Sequence, residues 1–445
     1  MGEGTLPVVV VGAGPVGLSA AAHLLDRGLE PLVFEVGEQA GAHVREWHHV
    51  RLFSRWAEVV DPVAEKLLAL TGWTHPDPQT CPTGQEWAQR YLQPLAEVLG
   101  SRVQFGARVS GVARRGRDRV VDAGRETEPL TVHVQTAAGE QRILARAVVD
   151  ASGTWGSPNP LGADGLPAVG ERAAADRIAY QVPDLADPGV RARYADKRLA
   201  VAGSGHSALT ALVALAELAE AAPGTHVQWL LRRGQVGDIF GGGEADQLPA
   251  RGALGRRAAA AVAAGHVTTV TGFRTGAATR TGDGLVLESL DGRRLTPVDE
   301  VVALTGFRPD LSWLTELRLD LDPTLQAARA LAPLIDPNVH SCGTVPPHGA
   351  RELAQPEPGV FVVGMKSYGR APTFLAMTGY EQVRSVAAAL AGDHEAAERV
   401  ELVLPDTGVC GGAGLFDDPT AASGAAEGGC CGPVEPAEQI AQTRA

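Results

Sequence analysis

Four consecutive valines, Val8 to Val11, run directly into Gly12-Ala13-Gly14-Pro15-Val16-Gly17. An unbroken apolar run of this length predicts a parallel strand covered on both faces. Beyond the glycines, Leu18, Ala21, Ala22, Leu24 and Leu25 recur at helical spacing, so a helix is expected from Pro15. Leu32-Val33-Phe34 supplies a second short strand. Trp87, Tyr91, Leu92, Leu95, Ala96 and Leu99 then predict a core-facing helix over 85–99, punctuated at its start by Pro82 and Thr83. From Val103 to Val149 the period drops to two. Val103, Phe105 and Val109, then Leu130, Val132 and Val134, then Ile143 alternate with polar residues, which predicts antiparallel strands with a turn at Gly139. Ala147-Val148-Val149-Asp150 returns to the parallel type and ends in the small residues Ala151-Ser152-Gly153.

After an irregular stretch rich in proline and glycine the plan repeats in shortened form. Leu199-Ala200-Val201-Ala202 leads into Gly203-Ser204-Gly205-His206-Ser207-Ala208, and a helix follows through Leu209, Leu212, Leu215 and Leu218. Strands are expected at Val227–Leu231, Val267–Val270 and Leu285–Glu288, with a hairpin turn at Asp291-Gly292. Val301-Val302-Ala303-Leu304-Thr305-Gly306 closes this part as Gly153 closes the first. From Asp310 the chain crosses a prolyl, polar loop to a last buried strand, Val360 to Val363, and a final helix near 374–390. After Leu404 glycine, alanine, proline and acids dominate without an apolar face, so Pro405 to Ala445 is expected to be a flexible tail.

A strand, a glycine turn and a helix in this order form a dinucleotide cradle. Gly12 permits the tight turn, Gly14 admits the phosphates, and Gly17 lets helix and strand pack closely, while the helix that starts at Pro15 aims free amides at a pyrophosphate. Glu35 follows the second strand roughly twenty residues on, where a carboxylate can accept from a ribose diol. Arg45 and Trp47, in the polar segment after it, are candidates to wrap the far end of the cofactor; a plain surface connection is the alternative. In the second cradle, Gly203, Ser204, Gly205, His206 and Ser207 form the turn, and the following strand ends in Arg232-Arg233 instead of an acid. A basic pair there favours a ribose 2′-phosphate and so NADPH, against two merely solvated arginines. The predicted fold is α/β, two Rossmann-like dinucleotide-binding domains of three-layer ββα type, each with a β-hairpin or meander insertion. Residues 1–185 and 310–404 are expected to form the first dinucleotide-binding domain in two parts, 186–309 the NADPH-binding domain, and 405–445 the cysteine-bearing tail.

Composition narrows the partners. A formal charge of −13 without a long basic run argues against nucleic acid and anionic membranes. No apolar stretch reaches the eighteen or so residues that span a bilayer, which predicts a soluble, cytoplasmic protein. Five cysteines, Cys81, Cys342, Cys410, Cys430 and Cys431, are too few and too scattered for a secreted disulfide framework. The oligomeric state stays open, a homodimer included.

On these residues the chain resembles the two-dinucleotide-binding-domain flavoproteins, which include flavin-containing monooxygenases and thioredoxin-reductase-like enzymes. The resemblance runs from residue 6 to about 403 and implies FAD on the first cradle and NADPH on the second, with Ser152, Gly153, Gly306, Gly364, Met365, Lys366 and Thr373 along the cofactors. More narrowly, Asp150–Pro160, His340-Ser341-Cys342-Gly343-Thr344 and Gly364–Thr373 look like flavoproteins of bacterial arsenic-resistance operons, often labelled flavin-binding monooxygenases. That likeness implies oxidation by O2 of a soft nucleophile such as trivalent arsenic or an organoarsenical. Two departures stand against the pattern. The stretch Gly170–Asp176 lacks the monooxygenase fingerprint histidine, and Met365 follows Gly364 where disulfide reductases of the superfamily place an aspartate.

A thioredoxin-reductase-like activity is the chief alternative, although no C-x-x-C or C-x-x-x-x-C occurs, and a non-catalytic redox or nucleotide sensor is a third. His340, Cys342 and His348 share one prolyl loop and are candidate catalytic or metal-binding groups, or else hydrogen-bonding struts. Cys410, Cys430 and Cys431 are candidate ligands for As(III), or incidental thiols of an inert tail.

Overall fold

The computed structural model describes residues 6–246, 248–339, 345–372 and 374–402. Val8–Val11 lies at the centre of a five-stranded parallel sheet in the order Val360–Val362, Ala147–Asp150, Val8–Val11, Pro31–Phe34, Val103–Gln104. The valines divide between two cores. Val8 and Val10 pack with Leu18, Ala21, Ala22 and Leu24 of the helix Pro15–Asp26 and with Val383, Val386 and Ala387 of the helix Ala376–Leu390. Val9 and Val11 turn to the opposite face, against Val112, Leu130, Val132, Val134 and Ala145 of the meander Arg108–Arg114, Leu130–Thr136 and Gly139–Ala145. Period-two alternation thus makes one strand the middle of three layers. Burying each valine side chain stabilises the fold by about 1.5–3 kcal/mol relative to exposure.

The second unit has the same logic. A parallel sheet runs Val267–Val270, His226–Leu230, Arg198–Ala202, Glu300–Ala303, Ile178–Ala179. Leu199 and Val201 face the helix His206–Ala221, whereas Ala200 and Ala202 face the hairpin Thr275–Thr281 and Gly284–Ser289. The described residues contain no helix long and apolar enough to cross a membrane.

Three local readings need correction. Val103 belongs to a strand that pairs in parallel with Pro31–Phe34 at the edge of the first sheet, not to the antiparallel meander. The partner of Gly284–Ser289 is Thr275–Thr281, a small, threonine-rich strand whose weak apolar pattern hid it. The helix over 85–99 is interrupted by a π-turn, Ala88–Leu92, between Gly84–Trp87 and Gln93–Leu99. Pro94 is the cause, since it has no N–H for the carbonyl four residues back and its ring crowds that carbonyl. The freed Arg90 carbonyl accepts from Trp73 Nε1 at 2.7 Å.

A buried charge cluster ties the meander to the last strand. Arg114 Nε donates to Glu357 Oε1 and Arg125 Nη2 to Glu357 Oε2, each at 2.6 Å, and the Arg318 amide donates to Oε2 at 3.1 Å. Burial opposes the charge on Glu357, but the two guanidiniums outweigh it and hold the carboxyl below its ordinary 4.5. A depressed folded value contributes stability that is complete above the unfolded value and is lost as the pH falls through the folded one. Urea midpoints measured from about pH 5 downward should therefore drop more steeply for the wild type than for Glu357→Gln. Parallel slopes would refute this role.

Candidate cofactor sites

The first cradle is built as the spacing predicts. Gly12 has φ +99°, and a Cβ there would lie 2.8 Å from the Ala151 carbonyl oxygen. A Cβ on Gly17 would lie 1.9 Å from the Gly12 carbonyl oxygen, so strand and helix touch backbone to backbone. Gly14, at the N-cap of Pro15–Asp26, has open space where its Cβ would be, and no side chain caps that helix. The first-turn amides therefore face a clear approach suited to a pyrophosphate. Glu35 is buried and accepts from the Ala13 amide at 2.7 Å through Oε2 and from the Gly37 amide at 2.8 Å through Oε1. Each oxygen keeps a lone pair for a ribose hydroxyl. Arg45 Nε donates to the Ala40 carbonyl at 3.0 Å, and burial holds its guanidinium below its ordinary value. Trp47 packs on the face of Gly84 and lies 6.4 Å from the Trp87 ring, so its indole braces the helical layer.

At the carboxyl ends of Ala147–Asp150 and Val360–Val362, two residues 216 positions apart meet. Lys366 Nζ is 2.7 Å from Asp150 Oδ2, donates to Ser152 Oγ at 3.0 Å and sits 4.7 Å from the centre of the Trp313 ring. Ser152 Oγ in turn donates to Asp150 Oδ1 at 2.6 Å. Lys366, which the resemblance sets along the cofactor, is thus held in a buried triangle. Spacing carried no sign of this pair, because only adjacency of the two strands joins them.

His348 is also placed inward, 3 % exposed. The Gln382 carboxamide oxygen accepts from the Gly364 amide at 2.8 Å, which leaves Gln382 Nε2 to donate to His348 Nε2 at 2.8 Å and to Ser367 Oγ at 2.9 Å. His348 Nε2 is then an acceptor, so Nδ1 carries the proton toward the Pro346 carbonyl at 3.1 Å. Burial lowers its pKa and keeps the ring neutral. This satisfied, enclosed imidazole is a strut that fixes Gly364, whose φ is +70°, over Val16. Met365 beside it is half-buried. His340, Cys342, Thr373, Cys410, Cys430 and Cys431 lie outside the described residues.

In the second cradle, Gly203 has φ +132° and a Cβ there would lie 2.2 Å from the Leu304 carbonyl oxygen, while Gly205 at the N-cap has open space. Ser204 and His206 are half-covered and Ser207 is exposed beside it. The strand His226–Leu230 delivers Arg232 and Arg233 to the rim. Arg232 keeps an exposed side chain at this rim; loss of water to the surrounding protein first, then the like charges of Arg233 and Arg274, hold its guanidinium below its ordinary value. Three crowded arginines at the ribose end of a cradle fit a phosphate dianion. Replacing Arg232 and Arg233 by glutamine should raise the KM for NADPH about 10–100-fold and leave that for NADH nearly unchanged, since charge-assisted hydrogen bonds contribute about 1.5–3 kcal/mol. Equal effects on both nucleotides in steady-state kinetics would exclude a 2′-phosphate contact.

The two units meet along one seam. Trp155, just beyond Gly153, stacks on Phe307, just beyond Gly306, with centroids 5.0 Å apart. Asn159 lies between them, donating to the Thr305 carbonyl and accepting from Arg308 Nε at 2.8 Å. Glu46 accepts from Trp155 Nε1 at 2.8 Å and from Gln181 at 3.2 Å, and Phe53 meets the edge of His206 at 5.3 Å.

Paired parallel sheets, each opening with a glycine cradle, define a flavoprotein with two dinucleotide-binding units that takes FAD and NADPH. The chain belongs to the pyridine nucleotide-disulphide oxidoreductase family, whose pattern matches residues 9–338. It is 28 % identical over 324 residues to ferredoxin–NADP reductase 1 of Cupriavidus necator, covering 71 % of this chain and 75 % of that one. The bacillithiol disulfide reductase of Bacillus cereus superposes with a TM-score of 0.63 at 19 % identity, over 87 % of this chain and 99 % of the other. A flavin-containing monooxygenase from Stenotrophomonas maltophilia superposes with a TM-score of 0.52 at 24 % identity, over 87 % and 99 %.

Proposed function

We propose that this flavin-dependent oxidoreductase is an NADPH-oxidising monooxygenase whose substrate is a soft nucleophile, trivalent arsenic or an organoarsenical. The observation that carries the choice of substrate is the resemblance of Asp150–Pro160, His340–Thr344 and Gly364–Thr373 to flavoproteins of arsenic-resistance operons. Bound FAD would supply hydride acceptance from NADPH and reactivity toward O2. The chain's own part is alignment and exclusion of water. Glycine cradles and helix amides hold the two nucleotides, Glu35 and the arginine pair select their riboses, and the stacked Trp155 and Phe307 close the seam. In the net reaction one oxygen atom of O2 goes to arsenic, which is oxidised by two electrons. The other leaves as water, formed with the hydride of NADPH (two electrons and one hydrogen) and one proton from solvent.

Cys81 supports this reading over thiol chemistry. Burial and the charge of Glu58 raise its thiol pKa, and its sulfur is turned to the Phe53 carbonyl, so it is a poor nucleophile. The tail thiols Cys410, Cys430 and Cys431 would serve to gather As(III). Supplied with NADPH, O2 and arsenite or a trivalent methylarsenical, the enzyme should convert arsenic to the pentavalent state in step with NADPH consumption. Normal NADPH turnover with unchanged arsenic speciation would end the proposal.

A disulfide reductase is the second reading, favoured by the family to which the chain belongs. Anaerobic titration separates the two: a reductase takes up electrons beyond the two of its flavin, and a monooxygenase does not.

A further inference from the structure

We propose that His48, His49 and Asp184 form a binding site for a divalent transition-metal ion of the Zn2+ class at the seam between the two units. One ligand atom from each of the three lies within 4.8 Å of the others. His48 Nε2 is 3.3 Å from Asp184 Oδ2, and the two imidazoles stand nearly perpendicular at 81°, with centroids 5.3 Å apart. Metal–ligand distances of about 2.0–2.2 Å require a contraction of roughly an ångström, within reach of the partly exposed His48 side chain.

Three imidazole nitrogens at this point, His48 Nδ1 and both of His49, are enclosed and make no hydrogen bond of good geometry among the described residues. Enclosed imidazole nitrogens are ordinarily paired, and an ion at this point would take one nitrogen from each ring.

The supports of a metal site are present too. Asp184 Oδ1 accepts from the Ala186 amide at 3.1 Å, which leaves Oδ2 pointing at His48. The His48 carbonyl accepts from the Gln85 amide at 2.9 Å and fixes the dipeptide after the helix Ala42–Glu46. Two imidazoles and one carboxylate suit a borderline ion better than Mg2+ or Ca2+, and three protein ligands leave a position open to water. Such an ion would clasp residues 48–49 of the first unit to the connection that leads into Pro188–Tyr194 of the second. It would reinforce the Glu46 contacts to Trp155 and Gln181 along the same seam.

The test uses the FAD-loaded full chain with Cys410, Cys430 and Cys431 changed to serine, so that tail thiols do not compete. After chelator treatment, Zn2+ titration by calorimetry should saturate at one ion per chain. Co2+ in its place should give visible ligand-field bands without thiolate charge transfer. His49→Gln and Asp184→Asn should each weaken Zn2+ binding by more than the roughly 10–100-fold expected for an outer-shell partner, with FAD content unchanged. Absence of saturable binding, a thiolate-type Co2+ spectrum, or full affinity in an FAD-loaded His48→Gln/His49→Gln variant would each overturn the proposal.

Discussion

Gly17→Val should purify without flavin and unfold at a markedly lower temperature. The first atom of any side chain at residue 17 would lie 1.9 Å from the Gly12 carbonyl oxygen and 3.4 Å from Ala151 Cβ. Neither neighbour can yield locally. Gly12 is held at φ +99° and its amide donates to the Phe34 carbonyl at 2.8 Å, so relief requires the helix Pro15–Asp26 to lift off its strand. Ordinary overpacking costs about 1–3 kcal/mol, and a backbone clash lies at or beyond the upper end, equivalent to a loss of FAD affinity of about a hundredfold or more. Gly14→Ala separates stability from binding. Its methyl meets nothing within 4 Å among the described residues but stands in the approach to the cradle, so the apoprotein melting temperature should hold while FAD affinity falls. Thermal unfolding and flavin absorbance of the two variants check both outcomes.

The second large effect is expected for Lys366→Met. The substitution keeps the side-chain stem but leaves the enclosed Asp150 carboxylate without its cation, and breaking one half of a buried pair costs about 3–5 kcal/mol. Lys366→Met combined with Asp150→Leu removes the stranded charge as well and should recover most of the loss. Urea unfolding of the single and double variants measures the difference. A single variant as stable as the wild type would mean that the triangle with Ser152 carries no stability.

How far the sequence could be read depended on how local the cause was. Both cradles were legible because turn, strand and helix lie within about thirty contiguous residues, and because each glycine answers a contact made a few positions away. The three-layer plan was legible from Val8–Val11, where alternate side chains had to be covered on both faces, and from the alternation of Leu130, Val132 and Val134.

What escaped was settled between distant segments. Val103 alternates like a meander strand, yet pairs in parallel beside Val33, a choice made by the neighbouring strand. The helix Pro62–Ala69 begins at Asp61, whose Oδ1 caps the Val63 and Ala64 amides and whose Oδ2 takes Ser19 Oγ at 2.8 Å and faces His23 at 3.0 Å. Burial opposes the charge on Asp61, but His23 and these donors hold the carboxyl below its usual range. No periodicity announces such a cap. Lys366 was assigned to the cofactor because its partner, Asp150, lies on another strand. From sequence His348 stays open between a reactive group and a strut, because Gln382, which saturates it, lies a helix away. His48 and His49 stood next to Trp47 in plain view, but their meaning depends on Asp184, which only the fold brings near.

The central claim is that one unit holds FAD, the other holds NADPH, and electrons pass between them across the seam. The direct measurement is anaerobic stopped-flow absorbance of the purified chain mixed with NADPH or with NADH. The account predicts a yellow protein whose flavin band bleaches on mixing, faster with NADPH than with NADH. A chain that stays colourless after incubation with excess FAD, or a flavin band that NADPH leaves unchanged, would contradict it.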